Sequence, residues 1–147
     1  MNIRELKDEI ERDEGRVNEV YKCTMGVSTF GVGHAIKESD PEWGLVIGAK
    51  ISDERIDQAF DQDIEITLEE CCRLYPDFYD LPDEVQLIIA NMMFNLGSTR
   101  LAKFKGMKAG VDARDWDKAA DEMVDSRWYH QVGNRSKRLV QRMRALA

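Results

Sequence analysis

One short stretch of this chain is patterned unlike the rest. Residues 17–36 set Val20, Val27, Phe30 and Val32 among Gly26, Gly31 and Gly33. Alternation with turn-forming glycines predicts a hairpin or three short strands. On either side the apolar residues recur every three or four positions, the period of a helix. The order helix, small sheet, long helix, helical bundle is an α+β plan, mostly α.

The helical segments have readable ends. Ile3, Leu6 and Ile10 make one apolar stripe over residues 2–13, and Gly15 supplies the stop. Residues 37–51, with Pro41, Gly44 and Gly48, read as an irregular loop. Ser52 before Asp53 and Glu54 is a helix start. From there Ile56, Phe60, Ile64, Leu68, Cys71 and Tyr75 share a face, predicting a helix of about two dozen residues up to Pro76. A helix from Pro82 to Gly97 is apolar nearly all round, as a central core helix is. A short helix is expected over 101–108 with a stop at Gly110, then one opened by Asp112, and a last one capped by Asn134.

At 147 residues the chain is expected to be one domain, with lobes of about 13–60 and of 1–12 plus 61–147. No stretch approaches the ~20 apolar residues of a membrane span, so no stable membrane insertion is expected. The charged first residues are unlike a secretory signal, which predicts a cytoplasmic start. Three cysteines, two of them adjacent at 71 and 72, argue against a disulfide framework. The net charge of −7 is uneven: from Arg127 onward there are six Arg and Lys and no acid, leaving 15 basic and 28 acidic side chains before it. Such an acidic body argues against broad nucleic-acid binding.

The chemistry-bearing residues cluster at the start. Glu14 ends the first helical stretch, and Cys23 and Thr29 lie in the glycine-rich segment. An acid at a helix end facing a hairpin with a second reactive group and a hydroxyl is a set that can split a glycosidic bond. One group protonates the leaving oxygen while the other manages water or the opposite face of the sugar. Cys23 leaves two routes open. It can hold a water, giving inversion, or attack the sugar, giving a covalent intermediate and retention. Cys71 and Cys72 read as helix packing.

Several runs in order now carry a resemblance: Asp13-Glu14-Gly15, Tyr21-Lys22 before Cys23, then Thr29 and Gly31-Val32-Gly33-His34. Phe60-Asp61-Gln62-Asp63 and Asn91-Met92-Met93-Phe94-Asn95-Leu96-Gly97 follow, then Ser126-Arg127-Trp128-Tyr129, Asn134-Arg135 and Lys137-Arg138. Together they resemble the bacteriophage lysozymes, the endolysin muramidases of glycoside hydrolase family 24, over nearly the whole chain. The family pattern is Glu, eight residues, Asp or Cys, five residues, Thr. Here it is the Cys version.

The resemblance implies a two-lobed fold with a long connecting helix, and cleavage of the β-1,4 bond between N-acetylmuramic acid and N-acetylglucosamine. It implies catalytic Glu14, Cys23 and Thr29, and a peptidoglycan strand held by Gly33, His34, Phe94, Asn95, Asn134 and Arg135. Arg135 is expected near Glu14, His34 beside Asp63, and Trp128 in the core. No metal or cofactor is implied. The protein is expected to be a monomeric endolysin, held in the host cytoplasm until a holin opens a route to the periplasm and wall. Two other readings are a lytic transglycosylase using Glu14 alone and a non-catalytic glycan- or nucleic-acid-binding module built on the basic last helix.

Overall fold

A computed structural model describes residues 1–147. The elements run α1 (Ile3–Glu14), β1 (Val17–Lys22), β2 (Ser28–Gly31), β3 (His34–Ala35), α2 (Asp53–Leu74), α3 (Asp83–Leu96), α4 (Ser98–Leu101), α5 (Lys105–Asp112), α6 (Trp116–Val124), α7 (Arg127–Gln131) and α8 (Asn134–Arg144). A short 3-10 turn at Phe78–Asp80 precedes α3. The α+β, mostly helical class expected from the sequence is the class observed. Two compact units divide the chain: Lys7–Ile66, and Met1–Leu6 with Thr67–Ala147.

The unit Lys7–Ile66 holds the sheet, ordered β1-β2-β3 and antiparallel throughout. Tyr21 pairs with Thr29 and Lys22 with Ser28, while Phe30 pairs with His34 across the next turn. Val20, Phe30 and Val32 are buried with Ile10, Ile56 and Phe60 of the helices. Gly31 is required here. Its φ is +65°, and a Cβ would stand 2.9 Å from Cγ2 of Ile56, so only glycine lets the sheet approach α2 this closely. The α2 start agrees with the sequence, since the Arg55 amide donates to Ser52 Oγ at 3.1 Å.

In the unit Met1–Leu6 with Thr67–Ala147, α3 is the hub. Ten of its residues are buried, among them Val85, Ile88, Ile89, Met92 and Met93. Each such aliphatic side chain withdrawn from water contributes roughly 1.5–3 kcal/mol. Gly97, at φ +79°, ends the helix as expected.

Four sequence expectations are corrected here. The single helix over 101–108 is two helices, α4 and α5, broken where Lys103 and Phe104 turn back onto the Arg100 and Leu101 carbonyls. Gly110 does not stop a helix but lies inside α5, where a Cβ would meet the Ala119 backbone nitrogen at 2.6 Å. Close packing of α5 on α6 explains that glycine, not chain reversal. The opener of α6 is Asp115, whose carboxylate accepts from the Lys118 amide at 3.1 Å, while Asp112 ends α5. Asn134 is the first residue of α8, and Gly133 takes the cap position. Helix α7, capped by Ser126 through the Tyr129 amide, was not anticipated.

Candidate active site

Glu14 is the last residue of α1, half-buried. Gly15, at φ +79°, turns the chain away immediately after it. The Glu14 carboxylate lies against the turn between β2 and β3. A Cβ on Gly33 would sit 2.7 Å from Glu14 Oε1, and Gly33 has a φ of +63°. Both facts demand glycine, because any side chain there would displace the acid.

Cys23 follows β1, at the start of its hairpin. The Cys23 amide donates to the Val27 carbonyl at 3.0 Å, and the Gly26 amide to the Cys23 carbonyl at 2.8 Å. This tight turn aims backbone at the side chain. The Val27 and Met25 backbone, with Thr29, favours the charged sulfur more than desolvation opposes it and holds the thiol pKa below its ordinary value. Thr29 is buried, and its hydroxyl also lies 2.9 Å from the Val27 carbonyl.

Tyr21 joins this group. It pairs with Thr29 across the hairpin. Its phenol is pushed above its ordinary pKa, first by burial and then by the negative charges of Glu14 and Cys23. Tyr21 is therefore within electrostatic reach of both. The sequence placed Tyr21 next to the site without giving it a role.

Behind the turn, His34 is buried and clamped on both sides. Its Nδ1 lies 2.7 Å from Asp63 Oδ2 and its Nε2 2.8 Å from Asp40 Oδ2. The pairing with Asp63 was expected; the one with Asp40 was not. Arg55 completes the group, donating to both Glu42 oxygens at 2.9 and 3.0 Å and standing 5.6 Å from the Phe30 ring centre. Asp40, Glu42 and Arg55 carry no local motif, since loop and helix meet only in the fold.

The remaining residues named from the sequence belong to the other unit. Arg135 donates through Nε to Asn91 Oδ1 at 2.8 Å. Trp128, buried as expected, donates its indole N–H to Asn95 Oδ1 at 2.8 Å and stacks edge-on with Phe104. Phe94 is half-buried and Asn134 exposed.

Residues 11–145 match the Phage lysozyme family. The chain belongs to that family. It is 29% identical to "Probable T4-type lysozyme 2" of Dictyostelium discoideum, over 94% of this chain and 92% of that protein. It is 28% identical to the "Pre-baseplate central spike protein Gp5" of Enterobacteria phage T4, over 91% of this chain but 26% of that longer protein. The enzyme is accordingly a glycoside hydrolase of the lysozyme type.

The His34 clamp gives this lysozyme a pH-dependent stability. Burial works against the imidazolium, but the two carboxylates outweigh it and raise the His34 pKa. Desolvation opposes the Asp40 charge too, yet the Lys37 amide and His34 lower its pKa. A raised histidine pKa contributes stability that is full below the unfolded value of about 6.5 and fades as pH rises through the folded value. The lowered Asp40 pKa contributes stability above about pH 4 that is lost on acidification. The clamp is thus strongest between roughly pH 4 and 6.5. His34→Ala is expected to cost about 2–3 kcal/mol at pH 6 and clearly less at pH 9. Urea titrations of both proteins at the two pH values measure this, and an equal loss at both would refute the charged clamp.

Proposed function

We propose that the enzyme is a muramidase that hydrolyses the β-1,4 bond between N-acetylmuramic acid and N-acetylglucosamine in peptidoglycan, as one lysozyme-like domain with two lobes. The observation that carries this reading is the hairpin itself. Glu14 Oε1 lies where a Cβ on Gly33 would stand 2.7 Å away, and the hairpin that pairs Tyr21 with Thr29 carries Cys23 just past β1, with its thiol pKa held below the ordinary value. In this reading Glu14 gives its proton to the leaving O4 as the C1–O bond breaks. A water held by Thr29 and Cys23 adds its oxygen to C1 from the opposite face, and its proton passes to the sulfur. Solvent then resets both groups. Gly33, Phe94, Asn95, Asn134 and Arg135 are assigned to the glycan strand. His34, with both ring nitrogens engaged by carboxylates, supports the strand through the β2–β3 turn. No metal or cofactor enters the scheme.

A recess in the helical unit, lined by none of the residues assigned above, carries both signs of charge. It encloses about 440 Å³ and is lined by Arg100, Lys103, Lys105 and Arg127 together with Glu122 and Asp125. Cations facing anions in one recess suit peptide stems that carry both carboxylates and an amine. The biological role assigned is that of a phage endolysin. It acts as a monomer, waits in the host cytoplasm and reaches the periplasm and wall once a holin has opened the membrane. The test is product analysis on purified sacculi. Muropeptides that have gained one water, with inverted configuration at the new reducing end, are expected. Anhydro ends would replace hydrolysis by transglycosylation, and retained configuration would make Cys23 the nucleophile.

A further inference from the structure

The loop between β3 and α2 exposes an apolar tip that the catalytic reading leaves unused. Trp43 is 57% exposed, Leu45 45%, Val46 74% and Ile47 53%. From Trp43 to Ala49 there is no charged side chain, and the indole is the only polar one. These four residues offer about 400 Å² of apolar surface, within the roughly 300–600 Å² of the largest patch on an ordinary monomer, which is often a functional one.

The loop is held open rather than left loose. At one foot Asp40 accepts from the Lys37 amide at 2.8 Å while binding His34, and Glu42 is fixed by Arg55. At the other foot Gly48 donates to the Val20 carbonyl at 2.8 Å, and Ala49 accepts from the Val20 amide at 2.9 Å. Between them Trp43 and Leu45 turn back onto the Asp40 and Glu42 carbonyls. The backbone of the loop is tied at both feet, and the four apolar side chains project from it into solvent.

We infer that this tip is a lipid-surface contact, seating Trp43 at the headgroup level of a bilayer with Leu45, Val46 and Ile47 just below it. The alternatives fit less well. A stable dimer needs about 800 Å² from each partner, roughly twice what the tip presents. A sugar needs polar groups for its hydroxyls, and the tip has one. A protein partner reading charge at the rim meets Glu42 and Lys50 already paired, with Arg55 and Glu19. A bilayer interface asks only for an aromatic anchor and a few aliphatic side chains. The net charge of −7 opposes anionic lipid, so the contact is apolar and insensitive to salt.

The test uses the full chain and large vesicles of phosphatidylcholine and phosphatidylethanolamine, with a second set containing phosphatidylglycerol. Wild-type protein is expected to sediment with the neutral vesicles at low and high salt alike, its tryptophan emission quenched by brominated lipid. Trp43→Phe should remove that quenching, leaving Trp116 and Trp128 unaffected. The triple variant Leu45→Ser, Val46→Ser, Ile47→Ser should partition at least about tenfold more weakly. Its circular dichroism and its release of muropeptides from lipid-free sacculi should be unchanged, which separates this contact from the hydrolytic reading. Folded wild-type protein that stays in the supernatant, equal binding by the triple variant, or adsorption to the anionic set alone at low salt each overturns the inference. So does a loop-dependent dimer in sedimentation velocity, which would assign the tip to a second copy.

Discussion

Glu14→Gln should lower muropeptide release from sacculi by at least about a thousandfold while leaving the fold intact. General-acid transfer to a departing oxygen is worth about 10²–10⁴ in rate, and a sugar alkoxide is a poor leaving group without it. The amide keeps the shape of the carboxyl, so it still fits against Gly33, where Glu14 Oε1 would meet an added Cβ at 2.7 Å. The loss should appear in kcat, with binding of the glycan nearly unchanged. Residual activity within tenfold of wild type would remove Glu14 from proton transfer and with it the hydrolytic scheme.

Substitution of Cys23 should separate chemistry from shape. Serine fits the hairpin but its hydroxyl does not ionise near neutrality, so Cys23→Ser is expected to lose roughly a hundredfold. Cys23→Asp should stay within about tenfold of wild type. A carboxylate at this turn meets the same Met25 and Val27 backbone, since aspartate commonly bonds the backbone two residues on. The pH profile offers a second reading. The kcat/KM profile should move to lower pH when aspartate, with its lower ordinary pKa, replaces the thiol. Alkylation gives the matching loss-of-function measurement. Cys71 is fully buried and its thiol is pushed up by burial, so replacing only Cys72 by serine leaves Cys23 as the reactive thiol. Full activity after iodoacetamide treatment of Cys72→Ser would place the sulfur outside the mechanism.

Local signals carried the element boundaries that depend on local chemistry. Ser52 capped α2 and Gly97 ended α3, because a cap hydroxyl and a left-handed glycine act within one turn of chain. The same signals misled at Gly110 and Asp112. A glycine reads identically whether it ends a helix or makes room for another. The choice was made by Ala119, whose backbone nitrogen an added Cβ would meet at 2.6 Å. Helix α7 escaped notice because its five residues are too few for a period to show.

The sequence by itself determined the class of fold, the Glu14, Cys23 and Thr29 spacing and the family, because spacing along a chain and helical period are written in residue order. Only the tertiary structure decided what surrounds those residues. The lowered thiol pKa of Cys23 depends on the backbone turn of the hairpin, and the Asp40 and Arg55 partners of His34 and Glu42 come from segments that share no local pattern. The outward display of Trp43 and Ile47 has the same origin. Hydrogen bonds and burial act over a few ångströms of space, and residues far apart in order reach that range only after the chain has folded.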